Sequence, residues 1–431
     1  MNILDFCSDK NVYLYGAGDI ANVLCQFLKS VKKNISGFVI SDECEIVESE
    51  ITGITVLHLS ELIERYDSAV DRVIVAVGKK DFQREIISNL EKAGINSYYV
   101  PGGQDVYWSD DKIRNIGILD TRISDENLGN GIIMQAVYNN LESLFVNDFI
   151  MRFPYRDDFW EDTLNNMQIC EYLFVGGTNC LNSEMEQFKY LGVNEKNIAQ
   201  IEHKIVLFGV GWWQYEKAPN AYTERLIKKL LNKNVLHSVR DSYTEAMLRR
   251  MGINNVVNTG CPTIWGMNHE FCRQIPTRKA KEVIVMFTPR KEKEIDRYII
   301  DIVRKNYNRI YFWVQGPYDY SYIKSMCAEA ILIPPQLKRL EDFLEKHKDI
   351  DYVGTRLHGG IKCIQNKKRA VIIAIDNRAQ EMKKDFNLPV ILTEELDNLD
   401  QIINMERETN ICISEEEIKQ WLGQFIKTKE I

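Results

Sequence analysis

Short, almost continuously apolar runs, each followed by a stretch of helical periodicity, recur along most of the chain. From Asn11 the runs read NVYLYG, ISGFVISD, ITVLH, RVIVAVG and SYYVP, with helical stretches reaching to about Lys33 and starting at about Asp81. Apolar strands alternating with helices predict a parallel sheet covered on both faces, because parallel neighbours need a crossover between them. The rhythm stops at Pro101, where the turn-rich, polar PGGQDVYWSDDK predicts a domain boundary. It resumes with NIGILD, YLFVGG, HKIVLFGVG and VLHSVR and a helix at SYTEAMLRRMG closed by Gly252. NHEFCRQIPTRKAK then interrupts it, and a third set follows with EVIVMFTPR, RIYFWVQG, DYVGTRLHGG and AVIIAID. The pattern predicts an α/β protein with a small Rossmann-like domain over 1–105 and two Rossmann-like lobes over 112–275 and 280–431. EYLFVGGTN and DYVGTRLHGG have a similar shape in the two lobes, which hints at duplication.

Length and composition narrow the function classes. A chain of 431 residues exceeds what one core usually organises, and 45% hydrophobic with 27% charged residues is ordinary globular composition. A formal net charge of -8 argues against a nucleic-acid partner while leaving room for a local basic pocket. The N-terminus shows no basic segment followed by an apolar core, and no apolar run approaches the roughly 18 residues that span a bilayer. The ten cysteines are scattered without a C-x-x-C. Reduced thiols, a cytoplasmic location, no disulfide framework and no zinc site are therefore expected.

Four clusters could carry chemistry. Gly16-Ala17-Gly18 follows a strand and opens a helix, the turn that lets a phosphate approach backbone N–H groups, and Asp42 ends the next strand, where a ribose-binding acid would sit. The same turn also serves tight packing, and Asp19 would place a negative charge beside a phosphate. Asn127, Gly129 and Asn130 lie at one strand exit of the first lobe and Gly176, Gly177 and Thr178 at another; ligands of open α/β sheets gather at such exits, so both loops are expected to line one cleft. Trp212, Trp213 and Tyr215 follow a further exit and offer faces for a sugar or for packing. In Thr355-Arg356-Leu357-His358-Gly359-Gly360, Arg356 can grip an anion with a fork of donors and His358 can move a proton. Asp349-Ile350-Asp351 precedes its strand instead of ending it, so no metal is expected there.

The first hundred residues, through GITVLHLSELIE and RVIVAVGKKDFQREI, resemble the nucleotide-binding N-terminal domain of sugar acetyltransferases. From about Ile113 onward, NLGN at 127–130, VGG at 175–177, SVRDSYTEAMLRRMGI at 238–253 and TRLHGGIKCIQNKKRAVIIAIDNR at 355–378 resemble the polysaccharide pyruvyl transferase family. The resemblance implies a pair of lobes like that of GT-B glycosyltransferases. It also implies transfer of the enolpyruvyl carbon of phosphoenolpyruvate onto two sugar hydroxyls as a cyclic ketal, without metal or cofactor. His358 would then be the acid/base, with Arg356, Arg290, Gly359, Gly360, Asn377 and Arg378 on the donor. Arg240, Asp241 and Trp212, with the two first-lobe loops, would face the acceptor or fix the cleft. The acceptor would be a sugar, a nucleotide sugar or a lipid-linked saccharide, the last bringing the protein to a membrane surface. Two departures stand out: Asn130 replaces the acid of the family's N-x-G-D, and Arg378 stands where a Lys is frequent. A glycosyltransferase using a nucleotide sugar and an inactive nucleotide-sensing protein are the alternative readings. A cleft between lobes also predicts lobe closure.

Overall fold

Alternate residues of the same strand feed opposite faces of each sheet, as the two-residue repeat of an extended chain requires. In Glu282–Met286, Ile284 and Met286 pack with Tyr352 and Ile372 on one side, while Val283 and Val285 pack with Val353, Val371 and Ile373 on the other. Burial on both faces explains why these strands read as continuous apolar runs. The computed structural model describes residues 3–47, 49–101, 113–157, 159–188, 191–193, 197–289 and 293–426. They form two units, Met1–Arg114 and Asn115–Ile431.

In the first unit Tyr98–Tyr99, Asp71–Val75, Asn11–Tyr15, Ile35–Ile40 and Ile54–His58 run parallel, and Glu50–Ile51 adds an antiparallel edge. Counted along the chain, the parallel strands take the order 3-2-1-4-5 of a dinucleotide-type sheet. Gly16, at φ +132°, lies so close to the neighbouring strand that a Cβ would meet the Ala76 carbonyl oxygen at 2.6 Å. Gly18 caps the helix Asp19–Ser30 and has open space about it. Asp42 is exposed, and one of its oxygens accepts from Ser60 N (3.0 Å) and Ser60 Oγ (2.9 Å), bonds that hold its carboxyl below the usual range.

The second unit contains both lobes. In the first lobe Ile205–Phe208, Tyr172–Gly176, Asn115–Asp120 and Phe149–Pro154 form a parallel sheet of chain order 4-3-1-2. In the second, Ile331–Ile333, Arg309–Trp313, Glu282–Met286, Ile350–Gly354, Ala370–Ile373 and Val390–Ile391 take the order 3-2-1-4-5-6. Each order reverses beside its first strand, and the crevice at such a reversal is where open sheets hold ligands. The two similar segments of the sequence, at Tyr172–Gly176 and Ile350–Gly354, both pair with that first strand.

The lobes share one apolar core. Leu128 and Ile132, on the first turns of the helix Leu128–Leu144, join Cys261 and Ile264 in the same cluster as Met286, Leu357 and Ile361 of the second lobe. Asp385 accepts from Ser242 N (2.6 Å) and Asn258 Nδ2 (3.0 Å) across the same boundary, and the Leu128 N–H donates to Gln315 O at 2.9 Å. Closure of the lobes would have to rearrange this shared core and these bonds. One correction concerns the C-terminus. The helix Glu415–Gly423, assigned by sequence to the second lobe, packs in the first: Trp421 is fully buried and stacks on Phe208 at 4.6 Å, and Phe425 meets Phe174 edge-on at 5.3 Å. Trp421→Ala is therefore expected to cost about 3–5 kcal/mol in urea unfolding, the range for emptying a large aromatic site.

Candidate active site

Both glycine-bearing loops of the first lobe reach one cavity. Asn127 caps its helix by accepting from Gly129 N at 3.0 Å, so the helix starts where Asn127 and Asn130 face the crevice. Gly177 turns at φ +60°, and a Cβ there would strike Ile133 Cγ2 at 2.2 Å; Gly176 is pressed as closely on Val137. Asn127, Asn130 and Gly177, with Thr178, Asn179, Ser124, Asp125, Arg156, Trp213, Arg240 and Arg378, surround a cavity of about 520 Å³, which Gly129 and Gly176 do not line.

Three guanidinium groups line that cavity. Arg240 is fully buried, lies over Gly211 so closely that a Cβ there would overlap it, and donates to Asp241 Oδ2 through Nε (3.0 Å) and Nη2 (2.9 Å) and to Asn179 Oδ1. Asp241 also caps the helix Ser242–Arg250 through Thr244 N at 2.8 Å, so its carboxylate orients Arg240 and starts a helix. Arg378 donates through Nε to Asp376 Oδ2 at 3.0 Å. Arg156 lies 3.9 Å from Asp125 Oδ2, which also accepts from Asn130 Nδ2 at 2.9 Å. A carboxylate therefore stands beside Asn130 in this chain, supplied from five positions upstream.

His358 lies buried against this group. Its Nε2 is 3.7 Å from Cys261 Sγ, which accepts from Thr263 Oγ1 at 3.1 Å, and its Nδ1 has no hydrogen-bond partner among the described residues. Burial, then Arg378 and Arg240, push the imidazole down to about 3, with Asp376 opposing them. Buried beside two cations, the ring is neutral at physiological pH. Burial also pushes the Cys261 thiol up, so it keeps its proton.

Other residues singled out in the sequence lie elsewhere. Arg356 does not line the cavity: Nε donates to Phe287 O at 2.9 Å and Nη2 pairs with Asp319 Oδ1 at 2.8 Å, stapling together the two strand exits that flank the switch point. Asp319 is buried and its other oxygen accepts from Gln315 N and Gly316 N, so both oxygens of its carboxylate are bonded. Gly359 and Gly360 are packing positions, where a Cβ would meet Met286 Sδ at 2.4 Å and Ile372 Cγ1 at 2.6 Å. Gly129 presses likewise on Asn127 Oδ1 and Gln315. Trp212 is in the core with its indole N–H donated to Glu216 at 2.7 Å, and Trp213 takes the place in the cavity wall expected of it. Asn377 and Arg378 start the helix Asn377–Phe386 beside the cavity. Arg290 lies outside the described residues. Asp351 is buried, paired with Arg369 at 3.0 Å and with Tyr307 at 2.8 Å. Arg156 was missed by the sequence reading, although it follows the exit of Phe149–Pro154, where the rule that found the other loops also applies.

A family model described as polysaccharide pyruvyl transferase matches residues 127–377, more than half of the chain and every described residue of the cavity from Asn127 to Asn377. The chain belongs to the polysaccharide pyruvyl transferase family. It is thus an enzyme of a transferase family, and the match spans both lobes. No curated protein matches it. Among solved structures, Phytolacca americana UGT2 complexed with UDP-2fluoro-glucose and pterostilbene aligns at 8% identity with a TM-score of 0.23, covering 96% of this chain and 93% of that one. In this member of the family no helix among the described residues is long and apolar enough to cross a membrane.

Two outcomes check this geometry. Asp319→Ala leaves the partly buried Arg356 guanidinium without its carboxylate and should cost about 1.5–3 kcal/mol in chemical unfolding. His358 and His237, the latter buried and pushed down to about 4, both have folded values below those of the unfolded chain. The unfolded chain therefore binds their protons first: their contribution is complete above about pH 6.5 and falls with pH toward 4 and 3. Between pH 6.5 and 5 each should lose about 2 kcal/mol, and His358→Gln should flatten that slope in urea titrations.

Proposed function

We propose that the protein transfers a pyruvyl group from phosphoenolpyruvate to a saccharide as a cyclic ketal, with the donor held in the cavity walled by Arg156, Arg240 and Arg378. What carries this reading is the convergence of three guanidinium groups from different strand exits on one cavity with a neutral histidine beside it. Carboxylate and phosphate are the ligands that such forks recognise. Buried Arg240, locked by Asp241 and Asn179, supplies a preorganised positive charge.

In the proposed reaction one sugar hydroxyl forms a bond to C2 of the enol while the methylene carbon takes a proton and that hydroxyl loses its own. A second hydroxyl then bonds to C2 as the C–O bond to phosphate breaks; phosphate leaves with that electron pair and the proton of the second hydroxyl passes to it. His358 is too weak a base while burial and then Arg378 and Arg240 act on it, opposed only by Asp376. A bound dianion offsets the two cations, though not the burial, and so raises the imidazole and makes it a better proton carrier. Asp125, beside Asn130, provides a fixed carboxylate at the hydroxyl side of the cavity.

Calorimetric titration with phosphoenolpyruvate, without added metal, tests the reading. Wild-type protein is expected to bind, Arg378→Ala to bind about tenfold or more weakly, and Arg356→Ala to lose stability while the folded fraction still binds. Phosphoenolpyruvate binding that is indifferent to Arg378 would overturn the assignment. In the histidine NMR spectrum the ligand should raise the His358 titration from about 3.

A further inference from the structure

A separate cavity, of about 480 Å³, is bounded by the same segment, residues 122–131, that walls the first. The two share no lining residue. Asp125, Asn127 and Asn130 belong to the first cavity, while Arg122 and Gly131 belong to the other, with Tyr138, Asn139, Ile150 and Arg152. Gly131, Tyr138, Asn139 and Glu142 recur at helical spacing, so one face of the helix Leu128–Leu144 forms one wall and the outer strand Phe149–Pro154 the other.

Two guanidinium groups line this cavity, and they are held differently. Arg152 donates to the fully buried Asp120 through Nε at 2.9 Å and through Nη2, and it lies over the Tyr138 ring at 4.7 Å. Its charge is answered by that carboxylate. Arg122 places its backbone N–H on the other oxygen of Asp120 at 2.7 Å, but its side chain donates through Nη1 to Asp125 O, a neutral carbonyl. The half-buried guanidinium has no carboxylate partner among the described residues, and its Nε and Nη2 make no hydrogen bond among them. Gly131 leaves room beside it: a Cβ there would stand 3.6 Å from Arg122 Cδ and 3.7 Å from Nε. Glu142, the acid among the lining residues, is exposed and three helical turns beyond Gly131, about 16 Å along the axis. A guanidinium with a free edge, partly withdrawn from water on a cavity wall, suits an anion that accepts two parallel bonds.

We propose that this cavity binds a phosphate group, free or esterified, on the Nε–Nη2 edge of Arg122, at a site separate from the first cavity and tied to it through Asp125. Met134, Tyr138 and Ile150 line the remaining space and suit the organic part of an ester. Asp125 is held from both cavities: its carbonyl by Arg122, and its Oδ2 by Asn130. A phosphate that draws the guanidinium onto itself slackens the first of these bonds and adds negative charge beside a site for another anion. The two ligands therefore weaken one another, each by the same factor. Only this coupling rests on the reading of the first cavity as the donor site; the phosphate site stands without it.

Calorimetry with inorganic phosphate and with phenyl phosphate tests this on the full chain carrying Arg378→Ala, which weakens the first cavity and isolates the other. At least one of the two should bind, and adding Arg122→Gln should weaken it about tenfold. Gly131→Glu keeps Arg122 but sets a tethered carboxylate beside it, and should weaken the ligand as much; unchanged urea midpoints show that both variants fold. Equal affinities identify the free ion as the occupant, and tighter phenyl phosphate identifies an ester. No binding of either at about 10 mM, or binding indifferent to both substitutions, would overturn the site. In the otherwise wild-type chain Gly131→Glu mimics the bound anion and should weaken phosphoenolpyruvate about threefold; an unchanged affinity would overturn the coupling. Phenyl phosphate that binds through Arg122 to a protein that takes no phosphoenolpyruvate would uphold the site and overturn the donor reading instead.

Discussion

Leu128 and Ile132 of one lobe pack with Leu357 and Ile361 of the other, and the site is built on that contact. Each pair is spaced four residues apart on the opening turns of a helix, so each presents one apolar stripe to the other. Both helices leave their sheets at the reversal of strand order. Seating one on the other therefore brings two crevices together, and with them Asn127, Asn130, His358 and the strand exits that carry Arg240 and Arg378. The polar ties of Asp385 to Ser242 and Asn258 hold the far end of the boundary. A cavity assembled in this way has fixed walls, and the specificity of its cations depends on packing rather than on movement.

Much of this was legible in the residues. The apolar runs located the strands because burial on both faces leaves no alternation to misread, and the small-residue exits located the crevices because only short side chains pass where Gly177 meets Ile133. What the sequence could not show were partnerships over distance. Arg356 looks like a ligand for an anion until Asp319, on a different loop, is seen to take it. Trp212 and Trp213 are adjacent in sequence and face opposite ways. Which one enters the core is decided by Glu216 and by the buried body of the lobe, neither of which periodicity over a two-residue strand can reveal. Arg156 was hidden differently: it follows an outer strand, Phe149–Pro154, whose exit carries no glycine signature.

The cations around the cavity are graded by how firmly they are held. Arg240 has partners on three of its nitrogens, Arg378 shares one carboxylate, and Arg156 lies 3.9 Å from Asp125. Fixed donors such as those of Arg240 stabilise charge without reorganising. Burial first, and then two of the same cations, hold His358 neutral.

The returning C-terminal helix has a consequence for how the chain is made. Phe174 and Phe208 leave the ribosome well before Trp421 and Phe425, the rings that cover them. The lobe begun first is thus completed last, after the whole of the other lobe has been synthesised. Until then its sheet carries an exposed aromatic face, the kind of surface on which nascent chains aggregate or recruit chaperones. Vectorial synthesis would therefore yield a folded second lobe beside an unfinished first one, and the two would mature together only when the final helix docks.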